Sequence, residues 1–126
     1  MTSILSDGPI IAFVATTQPD KARAFYRDVL GLHLTSEDQF ALAFDLAGTM
    51  LRVARVEQLQ PASYTVLGFV VAEIHTAIEE LAKSGVEFER FSFMQQDEHG
   101  VWTAPGGAKI AWFKDPDANT LSLTEL

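Results

Sequence analysis

Cysteine is absent from this chain of 126 residues. Disulfide bonds and thiolate metal sites are therefore excluded, and the absence of disulfide bonds fits a protein of the reducing cytoplasm. Basic residues are few, because nine Lys and Arg stand against 17 Asp and Glu and leave a formal charge of -8 at pH 7. A surface of this sign repels phosphate backbones and anionic lipids, so we expect neither a nucleic-acid partner nor a membrane partner.

Long apolar runs are missing as well. No stretch approaches the length that spans a membrane, and the first residues lack the basic flank and apolar run of a signal peptide. We therefore expect a cytoplasmic protein. A hydrophobic content of 48% is enough for one domain of this length to bury a core, so the sequence predicts a single domain, 1–126.

The first half of the chain predicts the order β-α-β-β-β. Residues 9–16 are dense in β-branched and aromatic side chains, as in a buried strand. Apolar residues then recur at helical spacing over 22–30, and Gly31 ends the predicted helix. Three strand-like runs come next at 33–36, 40–46 and 49–56, with an Ala47-Gly48 turn between the last two.

The second half repeats this order. A strand is predicted at 64–71 and a helix from Ile74 to Ala82 that Gly85 ends, and further strands are predicted at 86–94, 109–114 and 120–125. The segment Asp115-Pro116-Asp117-Ala118-Asn119 supplies turn residues before the last strand. This self-similarity predicts an α+β fold of two βαβββ modules, at about 9–56 and about 64–125.

Two segments, AFYRDVLGLHL and AWFKDPDANTLSL, strongly resemble the vicinal oxygen chelate superfamily, which includes glyoxalase I, extradiol dioxygenases and bleomycin-resistance-type proteins. The resemblance covers nearly the whole chain, and GVWTAPGGAKIAWFKDPDAN is similar to small bacterial members of unassigned activity. It implies a cup-shaped mixed sheet, a small organic ligand in the cup, and a homodimer. Both motifs mark the fold and not a reaction, so they leave open whether the chain is an enzyme.

In members that bind a metal, the resemblance implies His or Glu ligands on the first and fourth strands of each module. The matched positions hold Ile11 and Arg52 in the first module and Leu67 and Ser122 in the second. Isoleucine and leucine have no donor atoms, arginine is permanently cationic, and serine alone is a poor ligand. We therefore expect no metal at these positions, no cofactor, and a metal-independent function.

Strand alternation indicates which side chains line the predicted cup. It places Phe13 on one face of the first strand, and the match to the superfamily implies that Arg52 lies on the same face of the fourth, where a guanidinium can bind a carboxylate or phosphate. An arginine that reaches the rim or pairs with an acid is the alternative. The candidate ligand-binding residues are Arg52, Ser122 and Thr124 as polar groups and Phe13, Phe69, Trp102 and Trp112 as an aromatic wall, with ordinary packing as the alternative for each.

The polar loop 95–99 contains the weak catalytic candidate His99, a general acid or base if the loop folds over the cup and a solvated residue otherwise. His33 and His75 have no partner at ligand spacing, and we expect surface roles for both. One alternative function is a metal-dependent lyase, isomerase or dioxygenase whose displaced ligands come from Asp97, Glu98, His99 or Glu125. Another is a non-catalytic interaction subunit with an empty cup.

Overall fold

The computed structural model describes residues 4–126. The chain divides between Glu57 and Gln58 into two compact units, and each contains one four-stranded mixed sheet. This confirms the predicted α+β fold and its repeated order of elements. In residues 4–126 no helix is long and apolar enough to cross a membrane.

The first unit has the predicted order. Its elements are β1 (Ile11–Thr16), α1 (Pro19–Arg23) with a π-helical continuation (Ala24–Val29), β2 (His33–Glu37), β3 (Ala41–Leu46) and β4 (Thr49–Arg55). The strand order is β1-β4-β3-β2, and β1 runs parallel to β4. The predicted helix thus exists but widens in its second half, where the Leu30 N–H donates to the Phe25 carbonyl five residues back.

A two-residue turn joins β3 to β4 and sets their register. Leu46 and Thr49 are paired, and Ala47 and Gly48 between them both have positive φ, 50° and 92°. Two consecutive left-handed residues are the signature of a type I′ hairpin, whose twist matches that of the flanking strands. The turn therefore determines which side chains of β4 point to each face of the sheet.

The second unit departs from the predicted elements between α2 and β7. It contains β5 (Thr65–Val70), α2 (Ile74–Lys83), β6 (Trp102–Thr103), β7 (Lys109–Lys114) and β8 (Thr120–Glu125). The strand order is β5-β8-β7-β6, with β5 parallel to β8. β6 lies in a segment that the sequence predicted as loop.

The predicted strand at 86–94 is wrong. Only Phe88 forms an isolated bridge, with Phe113, and the Glu89 N–H donates to the Trp112 carbonyl. The next available donor, the Phe91 N–H, is taken by the Gln96 side chain at 2.8 Å. A side-chain acceptor from five residues further on thus satisfies the backbone and ends the ladder, which an alternating pattern does not reveal.

The last turn is built around the Asp115 carboxylate, which is only 6% exposed. Its Oδ1 accepts the backbone N–H of Asp117 and of Asn119, each at 2.9 Å, and its Oδ2 accepts the Asn119 side-chain amide at 2.8 Å. These bonds close the loop between β7 and β8 and hold the two strands in register. The motif that resembles the superfamily is therefore structural.

Candidate functional site

One face of the sheet of the first unit carries Arg52 beside exposed apolar side chains, and Asp45 lies on the same face in register with Met50. Phe13 is paired with Arg52 and Ile11 with Met50, so these four side chains share one side of the sheet, here called the Arg52 face. Ile11 is 50% and Phe13 60% exposed, whereas Leu51 and Val53 on the other side are buried. The predicted alternation of β1 and β4 is confirmed.

The Arg52 side chain is half-buried yet has no hydrogen bond and no ion pair within the described part of the chain. Other arginines of this unit are paired, since Arg23 donates to Glu37 from Nε at 2.7 Å and Arg55 Nη2 lies 3.5 Å from the same carboxylate. The hydrogen bond from Arg23 holds the pKa of Glu37 below its ordinary value, so Glu37 stays ionised, and its carboxylate is bound by Arg23. The predicted alternative of an ion-paired Arg52 does not occur among residues 4–126.

Asp38 is the acid whose pKa responds to Arg52, but its contacts are elsewhere. Its Oδ1 accepts the backbone N–H groups of Phe40 and Ala41 at 2.7 and 2.9 Å. These two bonds are the main reason that the pKa of Asp38 lies below its ordinary value, and the charges of Arg52 and Arg55 add to the effect. Arg52 therefore interacts with the Asp38 carboxylate only through charge at longer range, and its N–H donors remain available for another acceptor.

In the second unit Ser122 is in register with Trp112 on one side and Gly68 on the other, and Thr124 shares their face of the sheet. Ser122 is only 6% exposed, and its Oγ lies 2.9 Å from the point that a Cβ at Gly68 would occupy. The hydroxyl therefore fills space that only a glycine on β5 leaves open.

Two expected neighbours of Ser122 lie on the opposite face. The register of β5 shifts between Thr65 and Leu67, which pairs Leu67 with Leu121 and Phe69 with Leu123. Leu67 and Ser122, the two matched positions of this module, therefore do not share a face of the sheet, and the expectation that Phe69 belongs to the same aromatic wall as Trp112 is wrong. A bulge adds a residue on one strand and reverses the facing of the residues after it, which a count along the sequence does not include.

Aromatic side chains nevertheless gather around Trp112. The Trp102 ring centroid lies 6.3 Å from that of Trp112, and Phe91 meets Trp112 edge-on at 5.6 Å, with Phe93 5.5 Å from Phe91. The Trp112 indole N–H donates to Thr65 Oγ1 at 3.0 Å. A cavity of about 230 Å³ opens here, lined by Ser63, Tyr64, Thr65, Phe91, Phe93, Met94, Trp112 and Thr120. The sequence pointed to Trp102 and Trp112 but assigned Phe91 and Phe93 to a strand.

A histidine cluster lies on a different part of this unit. His75, in the first turn of α2, has Nε2 2.7 Å from Asp97 Oδ2, and its ring centroid is 5.1 Å from that of His99. His99 Nε2 is also 3.9 Å from Glu79 Oε1, one helical turn after His75. His75 is partly exposed, as a surface role predicts, but its pairing with Asp97 has no signal in the sequence because 22 residues separate the two along the chain. The loop brings His99 against α2.

The Asp97 carboxylate is held on both sides. Its Oδ1 accepts the backbone N–H of His99 at 2.8 Å and of Val101 at 2.9 Å, while Oδ2 faces His75. Burial raises the pKa of Asp97, but the hydrogen bonds from His75 and the two backbone groups outweigh it and bring the pKa below its ordinary value. Asp97 is therefore an anion beside two imidazoles.

Glu125, another candidate displaced ligand, has a different role. Its Oε1 accepts the Ile74 N–H at 3.0 Å, and its Oε2 lies 3.8 Å from Lys109 Nζ. It thus caps the beginning of α2 from the last strand, where a negative charge is favourable. Glu98 is largely exposed, with Oε1 4.0 Å from His99 Nδ1.

A sequence model of the Glyoxalase/Bleomycin resistance protein/Dioxygenase superfamily matches residues 10–123, which is nearly the whole chain. No protein of curated function matches the sequence.

Solved structures with the same fold come from several bacteria. A superfamily member from Sphaerobacter thermophilus superposes with a TM-score of 0.74 at 22% identity, covering 94% of this chain and 97% of its own. A glyoxalase family protein from Enterococcus faecalis gives 0.67 at 24% identity, with 93% and 94% covered. Lactoylglutathione lyase from Agrobacterium tumefaciens gives 0.72 at 16% identity, with 94% and 92% covered. At these identities the likeness extends to the fold alone.

Proposed function

Because the chain belongs to the Glyoxalase/Bleomycin resistance protein/Dioxygenase superfamily, we propose that it binds a small organic anion on the Arg52 face without the help of a metal ion. The observation that carries this proposal is the unpaired guanidinium of Arg52 among exposed apolar side chains. A half-buried guanidinium with no partner in the described chain keeps its N–H donors available, and an anionic ligand would supply acceptors for them.

The surroundings of Arg52 favour an organic ligand over a simple inorganic ion. Phe13 and Ile11 expose half or more of their surface beside it, and Met50 exposes 39%. Covering such side chains with an apolar group removes hydrocarbon from water, at about 25 cal/mol for each Å² buried. The proposed ligand class is therefore a carboxylate or phosphate attached to an apolar body.

A second observation favours an aromatic ligand in the second unit. The cavity beside Trp112 is lined by rings and has a few polar groups, such as Thr65, Thr120 and Ser63. Ring faces and edges of this kind bind planar molecules by stacking and edge-on contacts. Ser122 and Thr124 lie on the same sheet face as Trp112 and are the proposed hydroxyl donors of this region.

Metal independence is proposed from the side chains at and around the matched positions. Ile11 and Arg52 have no metal-binding donor, and the residues in register with Ser122 are Gly68 and Trp112. None of these side chains is an imidazole or a carboxylate, the groups that hold divalent metals in proteins without cysteine. Ligand binding at these positions should therefore be insensitive to chelators.

The test is a thermal-shift comparison of three probes that share a benzene ring. Phenyl phosphate and benzoate carry a charge for Arg52, whereas benzyl alcohol does not. We expect millimolar phenyl phosphate and benzoate to raise the melting temperature, because a ligand that binds only the folded state stabilises it. EDTA should leave these shifts unchanged.

Three results would contradict the proposal. Equal shifts with benzyl alcohol would show that the charge is not recognised, and loss of the shifts in EDTA, restored by a divalent ion, would show that a metal holds the anion. Absence of any shift with all three probes would favour the alternative of an interaction subunit whose sheet faces contact protein.

We also propose that the chain forms a homodimer. Within the described residues β1 and β5 each form one edge of their sheet, and Ile10 next to β1 and Val70 on β5 are more than two-thirds exposed. Unpaired edges beside apolar side chains favour association with another chain, and a two-fold dimer is the commonest closed assembly. Sedimentation at micromolar concentration should give twice the chain mass of 13.8 kDa. A single species at the chain mass would contradict this prediction.

A further inference from the structure

The cluster formed by His75, Asp97 and His99 has the composition of a metal site. One donor atom from each of these side chains can be chosen so that all three lie within 4.8 Å of one another. Glu79 is a fourth donor at its edge, with Oε1 3.9 Å from His99 Nε2. Two imidazoles and two carboxylates from a helix and a loop thus converge on one small region of the second unit.

These distances are close to those of a filled site. Tetrahedral zinc with ligand bonds of about 2.0–2.1 Å keeps its donor atoms roughly 3.3 Å apart. The His75–Asp97 pair at 2.7 Å must open slightly and the wider pairs must close, which rotation of half-exposed side chains achieves.

The loop that carries Asp97 and His99 is fixed from several directions. The Gln96 side chain donates to the carbonyls of Glu89 and Gly100 at 2.9 and 2.8 Å, and Arg90 Nη1 donates to the Asp97 carbonyl at 2.5 Å. The bonds from His99 and Val101 to Asp97 Oδ1 leave Oδ2 directed to the cluster. Hydrogen bonds that orient a ligating carboxylate are a common support of metal sites.

We propose that His75, Asp97 and His99 bind a divalent transition-metal ion such as zinc, with Glu79 as a fourth ligand. Imidazole nitrogen selects transition metals over magnesium or calcium, which prefer sites made of oxygen alone. An ion can enter from solvent, because the donors are partly exposed and Asp97 also lines an open cavity of about 420 Å³. The site uses none of the residues of the Arg52 face.

This site accounts for side chains that the proposed ligand binding does not use. Two histidines of three in the chain meet at one point, and the hydrogen-bonded loop around Gln96 holds one of them there. The third, His33 on β2, is exposed and belongs to the other unit. His33 therefore provides a matched control for any effect of removing an imidazole.

The test is calorimetric titration of chelator-stripped, untagged full-length protein with zinc and, separately, with magnesium near neutral pH. We expect one equivalent of zinc to bind with a dissociation constant on the order of micromolar, and no heat from magnesium. His75→Ala and His99→Ala should each weaken zinc binding by at least about 30-fold, since a three- or four-ligand site loses one donor. His33→Ala should bind zinc like the wild type.

A residue-specific readout accompanies the titration. Imidazole NMR signals of His75 and His99 should shift on adding one equivalent of zinc, while the signal of His33 stays in place. Asp97→Asn serves as a further variant because the amide oxygen can still accept the two backbone N–H groups. If the alanine variants do not fold, His75→Gln takes their place, since His75 is half-exposed on α2.

The proposal is overturned if titration of the wild type with zinc gives no heat of binding. It is also overturned if the wild type and the His75 or His99 variants bind zinc with equal affinity, or if His33→Ala loses zinc binding. Equal binding of magnesium would also overturn it, because an oxygen-type surface site would then explain the signal. None of these outcomes bears on the Arg52 face, so the two proposals succeed or fail separately.

Discussion

Arg52→Met is expected to abolish the thermal shift produced by phenyl phosphate while the protein keeps its fold. A charge-assisted contact with a phosphate in a partly desolvated position contributes about 2–4 kcal/mol, which corresponds to a loss of affinity of about 30- to 1,000-fold. The fold should survive because methionine keeps an unbranched apolar stem among Phe13, Ile11 and Met50 and removes an unpaired charge. Titration calorimetry of both proteins measures the difference.

Arg55→Met is the matched control for this change. Arg55 lies on the same strand, three residues further on, but points to the other face and lies 3.5 Å from Glu37. Its replacement should leave phenyl phosphate binding unchanged. Equal affinity in wild type and Arg52→Met would show that Arg52 does not hold the anion, and an Arg52→Met protein that fails to fold would point to a structural role.

Asp115→Ala is expected to lower the free energy of unfolding by about 3 kcal/mol. The change removes an almost buried acceptor and leaves two backbone N–H groups and the Asn119 amide without this partner. A buried donor that loses its acceptor costs about 1–3 kcal/mol, and partial access of water in the turn reduces the sum. Urea unfolding monitored by circular dichroism measures the loss.

Asp117→Ala is the control in the same turn, because Asp117 joins the Asp115 network through its backbone N–H, which the alanine retains. Its effect should be clearly smaller than that of Asp115→Ala. A loss of less than about 1 kcal/mol would show that the motif is not the anchor of the turn.

Much of the fold was predictable because it depends on local patterns. Alternation of apolar and polar residues identified β4 and β8, and β7 and β8 begin and end at the predicted residues. Alternation together with the match to the superfamily correctly placed Phe13 and Arg52 on one face, since β1 and β4 pair without a bulge. The composition of the Arg52 face therefore follows from the strand pattern only once the two strands are known to be neighbours.

Prediction failed where one irregular residue changed the path of the next segment. The bulge in β5 moved Leu67 and Phe69 to the face opposite Ser122. Similarly, the Phe91 N–H donates to the Gln96 side chain and is not available to a neighbouring strand. The aromatic cluster around Trp112 therefore includes Phe91 and Phe93, which the sequence predicted to lie in a strand. Each event is a single hydrogen bond or insertion, too small to alter an apolar pattern.

The sequence by itself determined the repeated α+β fold, the absence of thiol chemistry, and the position of Arg52 on an apolar strand face, because composition and periodicity act within a few residues. The tertiary structure alone decided that Arg52 has no partner among the described residues and that His75 meets Asp97 and His99. Contacts between residues far apart in the chain depend on how a loop is folded back on a helix. No local sequence pattern indicates that His75 lies close to Asp97 and His99, and so only the tertiary structure shows the candidate metal site.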